Sequence, residues 1–387
     1  MRNLRESTRS FVESNSKGER LVCKLHKGLY GLKQSGRLWN NTLHKFLLSL
    51  GFTSSLSDNC VYTKNVDGSQ IILLVWVDDL IIAAQNLDLL NSIKNALSSK
   101  YKMKDLGKLH WFLGINFECN DKMIRMSQSK YIEKVLAKFN MSNCTPKAIP
   151  CDPGMNKCLN DDSKELENPS LYREMVGCLI YIMTGTRPDI CYAVTRLSQK
   201  LSKPTHADLN MCKYTLKYLK GTSKCGLEYV KTENTNLVGF SDSDWGGTPD
   251  RRSISGYCFC LGNDGTLISW KCRKQPTVAL STCESEFIGI TSSIQESYHL
   301  KQLLSDMQND SVEPVTIYGD NQGALELTKN PVHHQRTKHI DIRYFYIRSQ
   351  IDFKNLILKH ISTHENVADM FTKPVTKAKL KKFNICK

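Results

Sequence analysis

The sequence predicts an α/β (α+β) protein with more than one domain. Its 387 residues suffice for two or three domains, each with its own core. Apolar residues make up 40% of the chain and charged residues 24%, as in folded globular proteins. Short β-rich runs bounded by turn residues alternate with longer runs of helical apolar spacing. We therefore expect two α/β units with a helical segment between them.

The charge balance indicates a polyanionic partner. Lysine and arginine number 53 against 38 aspartate and glutamate residues, which leaves a net charge of +15. Such a surplus favours nucleic acid or an anionic membrane surface. The first ten residues lack an apolar signal segment, and two aspartates interrupt the longest apolar run, 71–84. We expect an intracellular protein that does not enter a membrane, located in the cytoplasm, with a nuclear location left open.

Composition shifts divide the chain into segments. A stretch rich in proline and polar residues, MSNCTPKAIPCDPGMNKCLNDDSKELENPS, reads as a linker because it lacks apolar periodicity. Amphipathic helices are predicted at YREMVGCLIYIM, YAVTRLSQKL and MCKYTLKYLK. The expected segments are an irregular start (1–20), a first α/β unit (21–140), the linker (141–170), a helical segment (171–232), a second α/β unit (233–375) and a basic tail (376–387).

The elements of the second α/β unit follow from its turns and apolar spacing. LVGFSDSD, SISGYCFCLG and TLISWKCRK read as three antiparallel strands joined by short turns. A long helix is predicted from Ser281 to Met307, then a strand at VTIYGDN, a helix from His339 to Ile351, a strand at LILKHIS and the start of a closing helix at Val367.

A first pair of acids lies in IILLVWVDDLIIAA, where two β-rich runs meet at Asp78 and Asp79. Tight hairpins prefer Asn-Gly or Asp-Gly, so Asp-Asp is a poor turn by sequence. Adjacent like charges beside apolar strands call for a compensating cation, and Mg²⁺ takes carboxylate oxygens readily. The alternative is a solvated turn without a ligand.

Cations and aromatic rings precede this pair in LVCKLHKGLYGLKQSGRLWN. Lys33, Arg37 and Trp39 form the mixture expected of a surface that contacts nucleic-acid backbone and bases. GLYGLKQSGRLW and VWVDD resemble the reverse transcriptase motifs of copia-type LTR retrotransposon Pol polyproteins, and the likeness continues through SQSKYIEKVLAKFNMSNC and YREMVGCLIYIMTGTRPDICYAVTRLS. The resemblance implies a partial polymerase palm in 21–140 and a thumb or connection in 171–232.

The resemblance also implies a missing ligand. Polymerases of this family hold two Mg²⁺ ions between the paired aspartates and a further aspartate that precedes the GLYGLKQ motif, yet MRNLRESTRSFVESNSKGER contains no aspartate. Trp76 and Gly36 also replace the usual tyrosine and proline. We expect Asp78 and Asp79 to be at most a weak Mg²⁺ site and this chain alone to lack polymerase activity. The alternative is a fragment of an intact polyprotein whose other residues restore transcription.

Four further acids stand at the ends of elements in the second α/β unit: Asp242, Glu286, Asp320 and Asp369. Because ligands bind at the carboxyl ends of strands in such sheets, these acids are expected to converge. Four carboxylates suit two Mg²⁺ ions, with Mn²⁺ as the other candidate, for phosphodiester cleavage. Each acid has a local alternative, such as a helix cap or a strand-end turn.

Two positions leave a choice between neighbouring acids. In SDSD either Asp242 or Asp244 can be the first ligand. Ser281 and Glu284 fit a capping box, which would turn Glu284 back onto the backbone and leave Glu286 for metal.

GFSDSDW, DRRSISGYCFC, ISWKCRKQPTVALSTCESEF, IYGDNQGA and HENVADMFTKP resemble, in family order, the ribonuclease H domain that follows the transcriptase in copia-type polyproteins. The resemblance implies an RNase H-like mixed sheet whose acids Asp242, Glu286, Asp320 and Asp369 bind metal and hydrolyse RNA in an RNA–DNA hybrid. It also implies a catalytic histidine, for which His364 is favoured slightly over His360.

A basic cluster on the second and third strands, Arg251, Arg252, Arg273 and Lys274 with Lys271, is expected to contact phosphates of the hybrid. The alternative is a solvated basic face. A nucleic-acid-binding protein without turnover is the second functional hypothesis, which separate measurements of cleavage and of salt-sensitive binding would decide.

Overall fold

The computed structural model describes residues 4–5, 17–18, 23–154, 163–262, 265–308, 312–329, 338–352 and 355–383. The chain forms two units. The first comprises Met1–Asp105 and Leu303–Asp310, and the second comprises Leu106–Gln302 and Ser311–Lys387. This division differs from the predicted segments, because residues 106–140 fall with the helical segment and the second sheet rather than with the preceding strands.

The elements of the first unit are β1 (Leu4–Arg5), β2 (Cys23–Lys24), α1 (Ser35–Ser49), β3 (Thr53–Ser54), β4 (Val61–Val66), β5 (Ser69–Trp76), β6 (Asp79–Ala84) and α2 (Leu87–Lys100). The two helices pack against an antiparallel sheet in the order β3-β4-β5-β6. Alternate residues of β5, including Ile71 and Leu73, are fully buried and meet Leu47 of α1 and Leu97 of α2 in one core. The period of two therefore turns one face of the sheet toward both helices.

The hairpin between β5 and β6 carries the first acid pair. Trp76 pairs with Asp79, so the two-residue loop consists of Val77 and Asp78. Val77 has a φ of +54°, a left-handed conformation that a β-branched residue adopts only at a cost. The Trp39 indole N–H donates to the Val77 carbonyl oxygen at 2.7 Å and so helps to hold this turn. The predicted hairpin is present, and its backbone strain falls on Val77.

The second unit begins with β7 (Trp111–Phe112), β8 (Ile115–Cys119), β9 (Met123–Ser127), α3 (Ser129–Lys138), α4 (Ser170–Gly185), a 3₁₀ turn (Pro188–Ile190), α5 (Cys191–Ser198), α6 (His206–Gly221) and β10 (Gly226–Val230). The four strands form an antiparallel sheet in the order β10-β9-β8-β7. Strand β10 lies in the segment predicted to be helical. It pairs with β9, where a Cβ at Gly226 would lie 2.1 Å from the Met126 carbonyl oxygen.

A buried ion pair joins the 3₁₀ turn to the end of α6. The fully buried guanidinium of Arg187 donates to both carboxylate oxygens of Asp189, at 2.9 and 2.7 Å. The Tyr218 hydroxyl donates to the same carboxylate at 2.6 Å, and Arg187 also donates to the Thr222 carbonyl oxygen at 2.8 Å. A buried charge pair is tolerated only with such additional hydrogen bonds, because both ions have lost their hydration.

The remaining elements are β11 (Leu237–Asp244), β12 (Ile254–Leu261), β13 (Leu267–Lys274), α7 (Thr282–Gln308), β14 (Val315–Gly319), α8 (Gln322–Lys329), α9 (Lys338–Asp352), β15 (Leu356–His360), a 3₁₀ helix (Val367–Phe371) and α10 (Lys377–Phe383). The last residues of α7, from Leu303 onward, belong to the first unit. The five strands form a mixed sheet in the order β13-β12-β11-β14-β15. The first three strands are antiparallel, and β14 and β15 run parallel to β11. This arrangement has the predicted strands in the predicted order, and a 3₁₀ helix takes the place of the closing helix expected at Val367.

None of the helices in the described part of the chain combines the length and the apolarity needed to span a bilayer.

The buried ion pair predicts a large stability effect. Arg187→Met leaves the Asp189 carboxylate buried without its cation, so we expect the free energy of unfolding to fall by about 3–5 kcal/mol. Urea unfolding followed by circular dichroism measures this change. Lys203→Met, which removes a cation from an exposed pair with Glu165, serves as the control and should change stability little. Equal effects of the two substitutions would contradict the role assigned to Arg187.

Candidate functional site

Three carboxylates from distant parts of the sequence converge in the second unit. One oxygen each of Asp242, Asp320 and Asp369 lies within 4.8 Å of the others. Asp242 and Asp369 are buried, and Asp320 is half-buried. Strands β11 and β14 are adjacent and parallel, and Phe240 pairs with Tyr318, so Asp242 and Asp320 stand level at the same edge of the sheet. We call these three residues the acid triad.

Asp320 is left free for the triad because its neighbour caps the following helix. The Asn321 side-chain oxygen accepts a hydrogen bond from the Ala324 N–H at 2.9 Å, the contact of an N-cap residue with α8. The local alternative for this position, a helix cap, is therefore met by Asn321. Asp320 stands at the end of β14 with its carboxylate directed to the triad.

Asp369 is positioned by two contacts between its 3₁₀ helix and the sheet. The Asn366 side chain donates to the Ser241 carbonyl oxygen at 2.9 Å and accepts from the Ala368 N–H at 3.1 Å. Gly256 of β12 permits the close approach of this helix, since a Cβ there would lie 2.5 Å from the Cβ of Phe371. The absence of a side chain at Gly256 thus helps to bring Asp369 to Asp242.

Glu286 is buried in the first turns of α7, beside β11 but outside the triad as defined by that 4.8 Å separation. Its carboxylate accepts a hydrogen bond from the backbone of Ser243. Gly289 lets the helix approach β11, because a Cβ there would lie 2.6 Å from the Ser243 hydroxyl oxygen. Glu286 therefore faces the strand that carries Asp242.

The neighbouring Glu284 is turned away toward the start of the helix. The Ser281 hydroxyl accepts from the Glu284 N–H at 3.1 Å, and the Glu284 carboxylate accepts from the Leu280 N–H at 2.7 Å. The second contact reaches one residue before the cap rather than the cap itself. Glu284 thus serves the helix start, as its spacing from Ser281 predicted.

Burial and mutual repulsion disfavour the charged forms of these acids. Burial, followed by the negative charges of Asp242 and Asp320, raises the pKa of Glu286 to about 9. Burial also raises the pKa of Asp242, although Lys373 and a hydrogen bond from the Thr372 hydroxyl act in the opposite direction. The site therefore concentrates negative charge in a poorly hydrated place.

Two lysines supply positive charge to the triad. Lys373 Nζ lies 2.8 Å from Asp369 Oδ1 and 4.0 Å from Asp242 Oδ2, and Lys379 Nζ forms an ion pair with Asp369 Oδ2. Burial lowers the pKa of Lys379. Neither lysine was among the predicted site residues. Lys373 could have been identified from its spacing of four residues after Asp369, whereas no sequence signal marked Lys379.

The donor set fits a hard divalent cation. All three ligand groups are carboxylates, the oxygen donors that Mg²⁺ and Mn²⁺ prefer over softer metals. Asp369 Oδ1 is buried and forms an ion pair with Lys373, without a hydrogen bond of good geometry. Three clustered carboxylates, two of them buried, are an arrangement whose negative charge a bound divalent cation would compensate.

The other predicted residues of the site lie outside the triad. The Asp244 carboxylate lies against the Gly247 backbone, where a Cβ would meet its oxygen at 1.8 Å, and Asp242 rather than Asp244 belongs to the triad. The side chains of His360 and His364 are both exposed, and neither belongs to the converging group. The two histidines are thus alike in exposure and in lying outside the triad.

The first acid pair has a different environment. Asp78 and Asp79 are exposed at the tip of the β5–β6 hairpin, and within the described ranges no third acidic, histidine or cysteine ligand joins them. Lys33 and Arg37 are exposed as well. The ring of Trp39 packs edge-on against Tyr101 at 5.2 Å between ring centres, and its N–H bonds Val77, so this tryptophan supports the hairpin.

The basic cluster lies at the β12–β13 end of the mixed sheet. Arg251 and Arg273 are exposed, and Arg251 adopts a φ of +59° in the turn before β12. Arg252 and Lys274 both pair with Asp250, at 3.5 and 2.7 Å. Two of the five predicted phosphate contacts therefore share a carboxylate partner.

The raised pKa of Glu286 predicts how stability depends on pH. Folded Glu286 keeps its proton to about pH 9, whereas in the unfolded chain it ionises near its ordinary value of 4.5. The folded state then binds more protons, so metal-free stability should fall as pH rises from about 5 to 9, by at most about 1.4 kcal/mol per pH unit for this group. Urea unfolding at several pH values in EDTA measures the slope.

Glu286→Gln should reduce this slope, while Glu313→Gln, at an exposed position outside the cluster, should leave it as in the wild type. A Glu286→Gln variant with the slope of the wild type would refute the interpretation.

Comparison with known proteins identifies the family. A sequence model described as reverse transcriptase (RNA-dependent DNA polymerase) matches residues 10–153. The Retrovirus-related Pol polyprotein from transposon RE1 of Arabidopsis thaliana is 39% identical over 363 residues, covering 94% of this chain and 24% of the relative. The Retrovirus-related Pol polyprotein from transposon TNT 1-94 of Nicotiana tabacum is 39% identical over 376 residues, covering 95% of this chain and 28% of the relative.

The chain spans about a quarter of the length of these two relatives. The solved structure of the foamy viral protease-reverse transcriptase in complex with dsDNA aligns with 90% of this chain and 62% of its own chain, at 12% identity and a TM-score of 0.50. That likeness concerns the fold, and it agrees with the predicted α/β class with its palm, connection and ribonuclease H-like sheet. The predicted relationship is thus confirmed: the chain belongs to the family of copia-type retrotransposon Pol polyproteins.

Proposed function

We propose that this chain hydrolyses the RNA strand of RNA–DNA hybrids in a reaction that depends on Mg²⁺. The observation that carries the proposal is the convergence of three acids: Asp242 on β11, Asp320 directly after β14, and Asp369 on the 3₁₀ helix that packs against the mixed sheet. Mn²⁺ has the same ligand preferences and is the expected substitute.

The chain's own residues have distinct tasks in this proposal. Asp242, Asp320 and Asp369 would hold the metal, and Glu286 would complete the set from α7. Bound metal supplies an activated water and stabilises the leaving oxygen in phosphodiester cleavage. Asn366 and Thr372 keep Asp369 and Asp242 in place through their contacts with the triad elements. His364, which is exposed and precedes Asp369 in the sequence, is proposed as the group for proton transfer.

The net charge of +15 supports a nucleic-acid substrate. Arg251, Arg252, Arg273 and Lys274 are proposed to contact its phosphates. Selectivity for a hybrid would come from contacts to 2′-hydroxyls on one strand and from duplex shape.

Asp320→Asn tests the hydrolase directly. It removes one metal-binding charge and keeps the shape of the side chain, so we expect the rate of hybrid cleavage in Mg²⁺ to fall on the order of a hundredfold or more. Cleavage of a labelled hybrid in a denaturing gel measures the rate. Asp152→Asn changes an exposed aspartate elsewhere in the same unit and should cleave as the wild type.

Wild-type cleavage by Asp320→Asn would refute the assignment of the triad. Salt-sensitive hybrid binding without cleavage by the wild type would favour the second hypothesis, a binding protein without turnover.

We further propose that the reverse transcriptase region of this chain alone does not extend a primer. The exposure of Asp78 and Asp79, with no third ligand beside them among the described residues, supports this. Two-metal phosphoryl transfer needs carboxylates that bridge both ions, and two exposed aspartates bind Mg²⁺ weakly. Purified chain with primed template, Mg²⁺ and deoxynucleotides should give no extension above the level of an Asp78→Asn variant. Extension that requires Asp78 would refute the proposal.

A further inference from the structure

A cavity of about 190 Å³ lies in the second unit, apart from the acid triad. A single water needs only about 10–15 Å³ of such space, so the cavity can hold a larger group. The end of α5, the loop between β11 and β12, and the last residue of β13 form its wall. The lining residues are Arg196, Gln199, Lys200, Pro249, Asp250 and Lys274. We call this space the basic pocket.

Positive charge dominates the wall of the basic pocket. Arg196, Lys200 and Lys274 contribute three cations against the single carboxylate of Asp250, a local surplus of two. A pocket lined in this way attracts an anion, and cavity walls of low polarisability strengthen that attraction.

Arg196 is an unusual member of this wall because its charge is almost completely buried. Only 2% of the residue is exposed, and its Nε–H is buried without an acceptor. Its Nη1 donates to the Gln199 side-chain oxygen at 3.4 Å, a long contact with a neutral group. Burying a guanidinium is costly unless its donors are satisfied, and a phosphate oxygen is the acceptor that its planar fork matches well.

Asp250 holds one of the pocket's cations. Its carboxylate pairs with Lys274 at 2.7 Å and accepts from the Thr248 hydroxyl at 2.6 Å. The hydrogen bond from Lys274 lowers the pKa of Asp250 to about 2, so the carboxylate stays charged at neutral pH. Asp250 therefore competes with any anion that enters for the charge of Lys274.

The basic pocket lies close to the strand that carries Asp242. Asp242 lies on β11, which ends two residues later at Asp244. The loop that follows β11 then supplies Pro249 and Asp250 to the pocket. A duplex whose scissile phosphate lay at the triad could thus place another backbone phosphate nearby.

We propose that the basic pocket binds a backbone phosphate of the nucleic acid cleaved at the triad. This inference rests on the proposed hydrolase function for the identity of the ligand, and on the pocket's own charge and geometry for its chemistry. Lys200 and Lys274 bind the phosphate oxygens from the open side, and Arg196 supplies the buried charge. Arg196 lies on α5, Lys200 follows that helix, and Lys274 ends β13. A phosphate bound in the pocket would therefore contact both the helical segment and the mixed sheet.

Hybrid binding to the cleavage-deficient Asp320→Asn protein tests the pocket without turnover. The additional double substitution Lys200→Met and Lys274→Met should weaken binding about tenfold and reduce the slope of log K against log salt by about one, the contribution of one phosphate contact. Fluorescence anisotropy at KCl concentrations from about 50 to 300 mM, a range over which phosphate contacts change affinity strongly, measures both the affinity and its salt slope. The matched control, Lys220→Met with Lys224→Met, removes two exposed charges outside the pocket.

A slope in the pocket variant equal to that of the control would overturn the proposal. Melting curves verify that both double variants fold.

Asp250→Asn gives a test with the opposite sign. It removes the competing charge and frees Lys274, while an amide oxygen can still accept from Thr248, so hybrid affinity should rise about threefold to tenfold. A pocket with only a structural role would show weaker or unchanged binding after loss of this ion pair, and that result would overturn the proposal.

Inorganic phosphate distinguishes a nucleic-acid contact from a site for free anions. Calorimetric titration should show phosphate binding that Lys200→Met with Lys274→Met abolishes, together with the change in hybrid slope. Phosphate binding at the pocket with no change in the hybrid slope would assign the site to a free anion and overturn the proposal. Cleavage by the wild type is measured separately. If the wild type does not cleave the hybrid, the proposed hydrolase function is refuted. The salt slopes of hybrid binding would still show whether the basic pocket binds a phosphate.

Discussion

Mutual repulsion among buried carboxylates is the constraint on which the second unit depends. Asp242, Asp320 and Asp369 place their oxygens within 4.8 Å of one another, where two of the three residues are almost entirely shielded from water. Such charges would separate unless rigid elements held them, because their repulsion grows as hydration is lost. Parallel pairing of β11 with β14 fixes two of them, and the Asn366 contact to Ser241 fixes the third.

The charge of this site is offset from within the chain. Lys373 and Lys379 pair with Asp369, and the proton on Glu286 removes a further negative charge at neutral pH. A divalent cation bound at the triad would also neutralise the negative charge of the clustered carboxylates. The lysine contacts and a bound metal are therefore two ways of balancing the same charge. The exposed pair Asp78 and Asp79 does not need a neutralising cation, because water screens the repulsion between the two carboxylates.

Local sequence rules predicted much of the fold and part of the site. The three strands β11, β12 and β13 follow from apolar runs separated by turn residues, and Ser281 with Glu284 marked the start of α7. Sequence could not choose between Asp242 and Asp244, since residues two apart point to the same face of a strand. The choice depends on where the strand ends relative to its neighbours.

Features that depend on contacts between residues far apart in the sequence were not predicted. Strand β10 exists because its register matches β9, roughly a hundred residues earlier in sequence, and no periodicity in a five-residue run reveals that partner. The ion pair of Lys379 with Asp369 and the burial of Arg196 likewise depend on how helices pack against the sheet. The strain at Val77 was also not predicted, because the two-residue loop consists of Val77 and Asp78 rather than Asp78 and Asp79.

Binding of Mn²⁺ measured by calorimetry tests most directly whether the acid triad is a metal centre. Mn²⁺ shares the oxygen ligands and octahedral preference of Mg²⁺ and gives a larger binding signal. We expect saturable binding to the whole chain that Asp369→Asn weakens at least tenfold and that Asp78→Asn leaves nearly unchanged. Binding that survives Asp369→Asn, or that disappears with Asp78→Asn, would contradict a metal centre built on Asp242, Asp320 and Asp369.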